Sequence, residues 1–144
     1  MKLIIGGAYQ GKLAYAKETY RIMDGWIDGR TCKLEEIETC RGINCFHEYV
    51  KRLLQQDEGE YRLCSEHLLS LEEEASAFVE RLTQKNPEIL IVSNELGYGI
   101  VPMEKNERLW REAVGRICTC LAAEAQEVVR VVCGVGMILK KKQR

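Results

Sequence analysis

Lys2-Leu3-Ile4-Ile5-Gly6-Gly7-Ala8-Tyr9-Gln10-Gly11-Lys12 is the stretch that decides the fold. Lys2 to Ile5 is a short apolar run of the kind buried on both faces of a parallel sheet. Gly6-Gly7 ends it, and a helical stretch follows from Lys12 to Ile22. Gly6 to Lys12 therefore fits G-x-x-x-x-G-K between a strand and a helix. Phosphate chemistry uses each part. The glycines let N–H groups turn inward around an anion, the helix aims its positive end at the same place, and Lys12 adds a point charge. Gly6, Gly7, Ala8, Tyr9, Gln10, Gly11, Lys12 and Leu13 are the nucleotide-binding candidates, for ATP or GTP. Lys12 is also a catalytic candidate, at the β- and γ-phosphates. The alternative is a glycine-rich turn that binds nothing. Leu13 stands where the pattern has Ser or Thr, whose hydroxyl coordinates Mg²⁺. Leucine cannot, which puts Mg²⁺-assisted transfer in doubt but not nucleotide binding.

Outward from this loop, strand and helix patterns alternate. Met23 to Arg30 holds turn formers around Trp26-Ile27, room for a very short strand. Asn44 can cap a helix with the apolar stripe Phe46, Tyr49, Val50, Leu53 and Leu54. Asp57 to Glu60 is a polar break. Leu71, Ala75, Phe78, Val79 and Leu82 mark a second helix, Glu72 to Glu74 its solvated face, and Asn86-Pro87 its end. Glu88 to Ser93 is the clearest buried strand. A long helix carries Leu109, Ala113, Ile117 and Leu121, with Trp110, Val114 and Cys118 beside them. Glu127 to Cys133 is a β-branched strand, Gly134 and Gly136 form a turn, and Met137 to Leu139 can pair back. The alternation predicts one α/β domain over residues 1–144, with a mostly parallel sheet flanked by helices.

Ligands of such sheets sit beyond the carboxyl ends of the strands. Glu88 to Ser93 should deliver Asn94, Glu95, Gly97 and Gly99 to the edge that holds the phosphate loop. Glu95 is a catalytic candidate, holding Mg²⁺ through water or accepting a hydroxyl proton. Asn94 can fix a substrate amide or hydroxyl, and Gly97 and Gly99 let backbone approach a bulky ligand. The alternative is a connection with an exposed Glu.

Ile91-Val-Ser-Asn-Glu-Leu-Gly-Tyr-Gly-Ile-Val-Pro102 resembles the N-E-x-G-x-G-I-V-P motif of the adenosylcobinamide kinase/adenosylcobinamide-phosphate guanylyltransferase family. Arg108, Arg111 and Gly115-Arg116 fall on its R-x-x-R-x-x-x-G-R. Residues 127–140 resemble its final strand pair, and Ile5 to Lys12 its phosphate loop. The resemblance implies a P-loop NTPase-like fold and a transferase of cobalamin biosynthesis. It further implies ATP or GTP as substrate, a corrinoid (cobinamide) as acceptor, Arg108 at the substrate, and a homo-oligomer. The family also carries a guanylylated histidine. His47 lies at the matching distance after Lys12 and is the third catalytic candidate. Its surroundings, Asn44 to Tyr49, differ from the family motif, so a histidine on a helix surface is the other reading; His67 is the second histidine. Tyr9-Gln10 replace the family's Arg-Ser, and Cys118-Thr119 its Asn-Gln. A non-catalytic nucleotide or corrinoid binder is the alternative function, and a scaffold whose loop binds nothing is a third.

Composition narrows the classes. The 144 residues are 46% hydrophobic and 30% charged, with net charge −1, which argues against disorder and against a nucleic-acid partner held on a basic surface. No apolar stretch is long enough to cross a bilayer, and Met1 to Ile5 is too short for a signal sequence. We expect a cytoplasmic protein with no membrane partner. The basic stretch Lys140 to Arg144 is read as a solvated tail. Seven cysteines, an odd number, argue for reduced thiols rather than a disulfide framework. Cys40-x4-Cys45-x-His47 hints at zinc but lacks a fourth ligand, and no metal-binding residue is assigned.

Overall fold

Along the first strand, β1 (Lys2–Gly6), side chains alternate between two apolar clusters. Leu3 packs into the larger and Ile4 into the smaller. Alternation of this kind places a strand inside a sheet covered on both faces. The computed structural model describes residues 1–56, 62–63 and 70–143. The other strands are β2 (Trp26–Asp28), β3 (Gly42–Asn44), β4 (Leu90–Asn94), β5 (Glu127–Val132) and β6 (Val135–Lys141). They form one sheet in the order β2-β3-β4-β1-β5-β6. Every pairing is parallel except β5 with β6. The expected mostly parallel sheet is present.

Helix α1 (Lys12–Tyr20) covers one face through Ala16, Tyr15 and Tyr20, against Ile4, Leu90, Val92, Val129 and Val131. Helices α2 (Phe46–Leu54), α3 (Leu71–Lys85) and α4 (Lys105–Glu124) cover the other. Their buried faces follow the sequence pattern, with Leu54, Leu71 and Leu109 of the expected stripes only half-buried. Phe46, Tyr49, Val50 and Leu53 of α2, Ala75, Phe78, Val79 and Leu82 of α3, and Ala113, Val114, Ile117 and Leu121 of α4 are all buried. Ser70 and Glu73 make a capping box at the start of α3, where Glu72 and Glu73 are exposed.

Four local features depart from the sequence reading. Strand β3 carried no periodic signal in its three residues. It pairs parallel with both β2 and β4, and its Gly42 lies beneath the Trp26 ring, which an added Cβ would meet at 2.6 Å. Asn44 closes β3 and caps nothing; the N-cap of α2 is Cys45, at φ 55°. The final turn is Cys133-Gly134, both at positive φ (51° and 78°). That is the backbone of a two-residue hairpin. Gly136 lies inside β6, where an added Cβ would meet the Tyr15 ring. The basic tail is engaged as well. Lys140 Nζ donates to the Ala122 and Ala123 carbonyls (2.7 and 2.6 Å), and Lys142 Nζ to that of Glu124 (3.1 Å). These are terminal carbonyls of α4, where positive charge is favoured. Asp57 to Glu60, Cys64, His67 and Arg144 lie outside the described residues.

Among the described residues, no helix is long and apolar enough to cross a membrane. None forms a group of three His, Cys, Asp or Glu side chains able to hold a metal ion. Cys40 instead donates its thiol to the Ile37 carbonyl (3.7 Å).

Candidate functional site

The carboxyl ends of β1 and β4 meet as the parallel register requires, Gly6 opposite Asn94. The Glu95 N–H donates to the Gly6 carbonyl (3.0 Å), which joins the two predicted segments at one edge. Gly6 has φ 156°, and an added Cβ would meet the Val131 carbonyl oxygen at 2.4 Å. Only glycine fits that close approach to β5. The loop then passes Tyr9, fully exposed at φ 58°, and reaches Gly11 at φ 82° before α1 begins. Gln10 ties it to the β5–β6 turn. Its Oε1 accepts from the Cys133 N–H, and its carbonyl from the Gly134 N–H, both at 2.8 Å. Within α1 the first backbone donor is Tyr15, to the Gly11 carbonyl (3.0 Å), so the N–H groups of Lys12 and Leu13 have no partner inside the helix. They are free for an anion, at a helix start where the helix dipole favours one.

The loop walls a cavity of about 450 Å³ together with Lys12, Leu13, Arg30, Asn44, Cys45, His47, Glu48 and Asn94. Lys12 is buried, and its Nζ donates to the Gly7 carbonyl (2.5 Å). Burial pulls its pKa below the usual lysine value, with Cys45 and Glu95 acting the other way. A buried ammonium beside unpartnered amides is an incomplete electrostatic arrangement that an oxyanion would complete.

The other candidates divide by face. His47 is buried, not on a helix surface as the sequence reading allowed, and it lines the cavity. Its Nδ1 accepts from the Asn94 N–H (3.2 Å) and its ring stacks on Trp110. Burial, Lys12 and Arg30 push its pKa down to about 4. Glu95 forms an ion pair with Arg130 (3.1 Å). It lines a second, mostly apolar cavity of about 350 Å³ with Asn94, Gly97, Tyr98, Arg111 and Cys118. Asn94 belongs to both cavities. Arg108 donates to the Pro102 and Met103 carbonyls, and Arg111 to those of Ile100 and Tyr98. The two arginines thereby hold the loop after β4, in which Gly97 and Gly99 each have open space where a side chain would begin.

Arg30, Cys45, Glu48 and Arg130 also belong to this edge; the sequence reading placed none of them at the site and named Cys45 only in the zinc hint. Arg30 makes a bidentate pair with Asp28 at the end of β2 (2.6 and 3.0 Å). That pairing lowers the Asp28 pKa. Recognising Trp26-Ile27 as a parallel strand would have sent its carboxyl end, Asp28 to Arg30, to the ligand edge. Cys45 is not activated, because burial and Asp28 push its thiol above the ordinary value.

A strand that runs through a glycine-rich loop into a helix, at the carboxyl edge of a parallel sheet, defines the P-loop NTPase-like class of α/β protein. Residues 29–139 match the family model described as cobinamide kinase / cobinamide phosphate guanyltransferase, and the chain belongs to that family. It is 34% identical over 84 residues to the bifunctional adenosylcobalamin biosynthesis protein CobU of Escherichia coli (strain K12), covering 58% of this chain and 45% of that one. It is 34% identical over 71 residues to CobU of Salmonella typhimurium, 49% of this chain and 39% of that one. It is 28% identical over 105 residues to the bifunctional adenosylcobalamin biosynthesis protein CobP of Pseudomonas aeruginosa, 73% of this chain and 56% of that one. The chain thus spans about half the length of the curated relatives it matches.

Proposed function

We propose that residues 1–144 form one nucleotide-binding domain that holds ATP or GTP in the Gly6–Leu13 cradle and transfers a phosphoryl group to cobinamide. The observation that carries this is the cavity itself. Free loop amides, the buried Lys12 ammonium and Asn94 surround one space at the carboxyl edge of the sheet. Lys12 would neutralise the β- and γ-phosphates, and the amides would hold their oxygens. Asn94, shared by both cavities, would orient the acceptor hydroxyl. Glu95 would receive its proton, and Gly97 and Gly99 would leave room for the corrinoid. Arg108 would keep that loop in place. The protein's own donor set does not fit a held Mg²⁺ ion, because Leu13 brings no oxygen and Glu48 is the carboxylate lining the cavity. We also place the protein in the cytoplasm as a homo-oligomer, the latter supported by the exposed apolar side chains Val135, Met137, Ile138 and Leu139 of β6.

Calorimetric titration with ATP and with GTP, each with and without Mg²⁺, tests the binding. Lys12→Ala should abolish it, and unchanged affinity would mean that the site lies elsewhere. Phosphorylation of cobinamide, lost in Glu95→Gln, tests the chemistry. A second reading, a nucleotide or corrinoid binder without turnover, is favoured by Leu13 and by the pairing of Glu95 with Arg130. Binding indifferent to Mg²⁺ together with no product would establish it.

A further inference from the structure

His47 is fixed from several directions. Its ring accepts the Asn94 N–H at Nδ1 (3.2 Å), and the two rings of His47 and Trp110 lie 6.3 Å apart, centre to centre. The Trp110 Nε1–H donates to the His47 carbonyl (2.7 Å), so the backbone beneath the ring is held as well. A main-chain N–H can only donate, so Nδ1 must present its lone pair. In a neutral imidazole the proton then sits on Nε2. Nε2 stands 3.7 Å from Glu48 Oε1, too far for a hydrogen bond, and both residues line the phosphate cavity.

We infer that His47 serves this cavity as a fixed, neutral Nε2–H donor to a phosphoryl oxygen, and not as the nucleophile of a covalent nucleotidyl intermediate. The inference rests on the nucleotide reading above. A nucleophilic imidazole would use a nitrogen lone pair to form an N–P bond at the α-phosphorus while pyrophosphate leaves. Here the available lone pair is on Nδ1, already engaged by Asn94. Freeing Nε2 would move its proton to Nδ1 and set two donors against each other. Lys12 and Arg30 already bring positive charge to the cavity. A neutral donor adds a hydrogen bond to phosphate without adding to that charge. Burial beside these two cations keeps the ring neutral at physiological pH.

The chain has two histidines, which makes nitrogen NMR of the imidazoles direct. Long-range ¹⁵N–¹H spectra of the whole protein at neutral pH, assigned with His47→Gln, should show a protonated Nε2 and an unprotonated Nδ1 for His47. Calorimetry with ATP and GTP should find His47→Ala weakened by about 10- to 100-fold, the range for a lost hydrogen bond to a charged group. His47→Gln, whose amide can donate from a similar position, should stay within about threefold of wild type. Intact mass after incubation with GTP, quenched in base, should show no nucleotide adduct. A proton found on Nδ1, an adduct on His47, or wild-type affinity in His47→Ala would each overturn the inference. If wild type binds nucleotide but Lys12→Ala binds equally well, the proposed site fails instead. If wild type binds neither nucleotide, both fail.

Discussion

At the scale of single residues, Gly6 and His47 make the most exposed commitments. Gly6→Ala would drive a methyl group into the Val131 carbonyl at 2.4 Å, at a φ of 156°. It should destabilise the protein by about 2–3 kcal/mol. Gly97→Ala, with open space around it, should stay within about 0.5 kcal/mol. Urea midpoints of both variants check this. His47 gives a pH dependence of defined sign. Its pKa falls from 6.5 to about 4 on folding, so between these values the unfolded chain binds the extra proton. The contribution is complete above pH 6.5 and is lost as pH falls towards 4. It amounts to about 3 kcal/mol. The wild-type curve between pH 7.5 and 4.5 should therefore drop more steeply than that of His47→Gln. Equal slopes would show that the ring is not buried neutral.

At the scale of elements, the ends of the helices carry chemistry outside the core. Ser70→Ala removes the side chain that accepts the Glu73 N–H at the start of α3. It should cost about 1 kcal/mol. Lys140→Ala leaves the Ala122 and Ala123 carbonyls at the end of α4 without their ammonium partner. A loss of about 1 kcal/mol is expected, smaller in high salt, because charge–dipole interactions are screened. Thermal melts of the two variants at low and high salt should separate them, with Ser70→Ala nearly indifferent to salt. The Cys133-Gly134 turn has a different task. Through Gln10 it holds the phosphate loop against the β5–β6 hairpin. The geometry of the loop thus depends on a segment more than 120 residues further along the chain.

For the whole molecule, ligand binding and stability are linked. A nucleotide that binds the folded cavity and not the unfolded chain should raise stability by about 2.7 kcal/mol at one hundred times its Kd. Differential scanning calorimetry with ATP or GTP should show the upward shift in Tm, and Lys12→Ala should erase it. A shift that survives in Lys12→Ala would place nucleotide binding away from the loop. The sheet order explains why one substitution has this reach. β1 lies between β4 and β5, so the loop leaving β1 has Asn94 on one side and the β5–β6 turn on the other.

The sequence alone determined the elements whose signal is local. The apolar run before Gly6, the phosphate-loop spacing, the 3.6-residue stripes of α2, α3 and α4, and the Asn94-to-Pro102 motif all depend on neighbours within a few positions. Those features were enough for the fold class, the family and the sheet edge that carries the candidate site. Tertiary structure alone decided the electrostatics. Whether His47 faces solvent or the cavity depends on Asn94 and Trp110, 47 and 63 residues away. Glu95 is paired because β5 brings Arg130 beside it. Arg30 joins the cavity because β2, a strand of three residues, runs parallel to β3. Burial and charge pairing are sums over distant chain segments, and no window of sequence contains them.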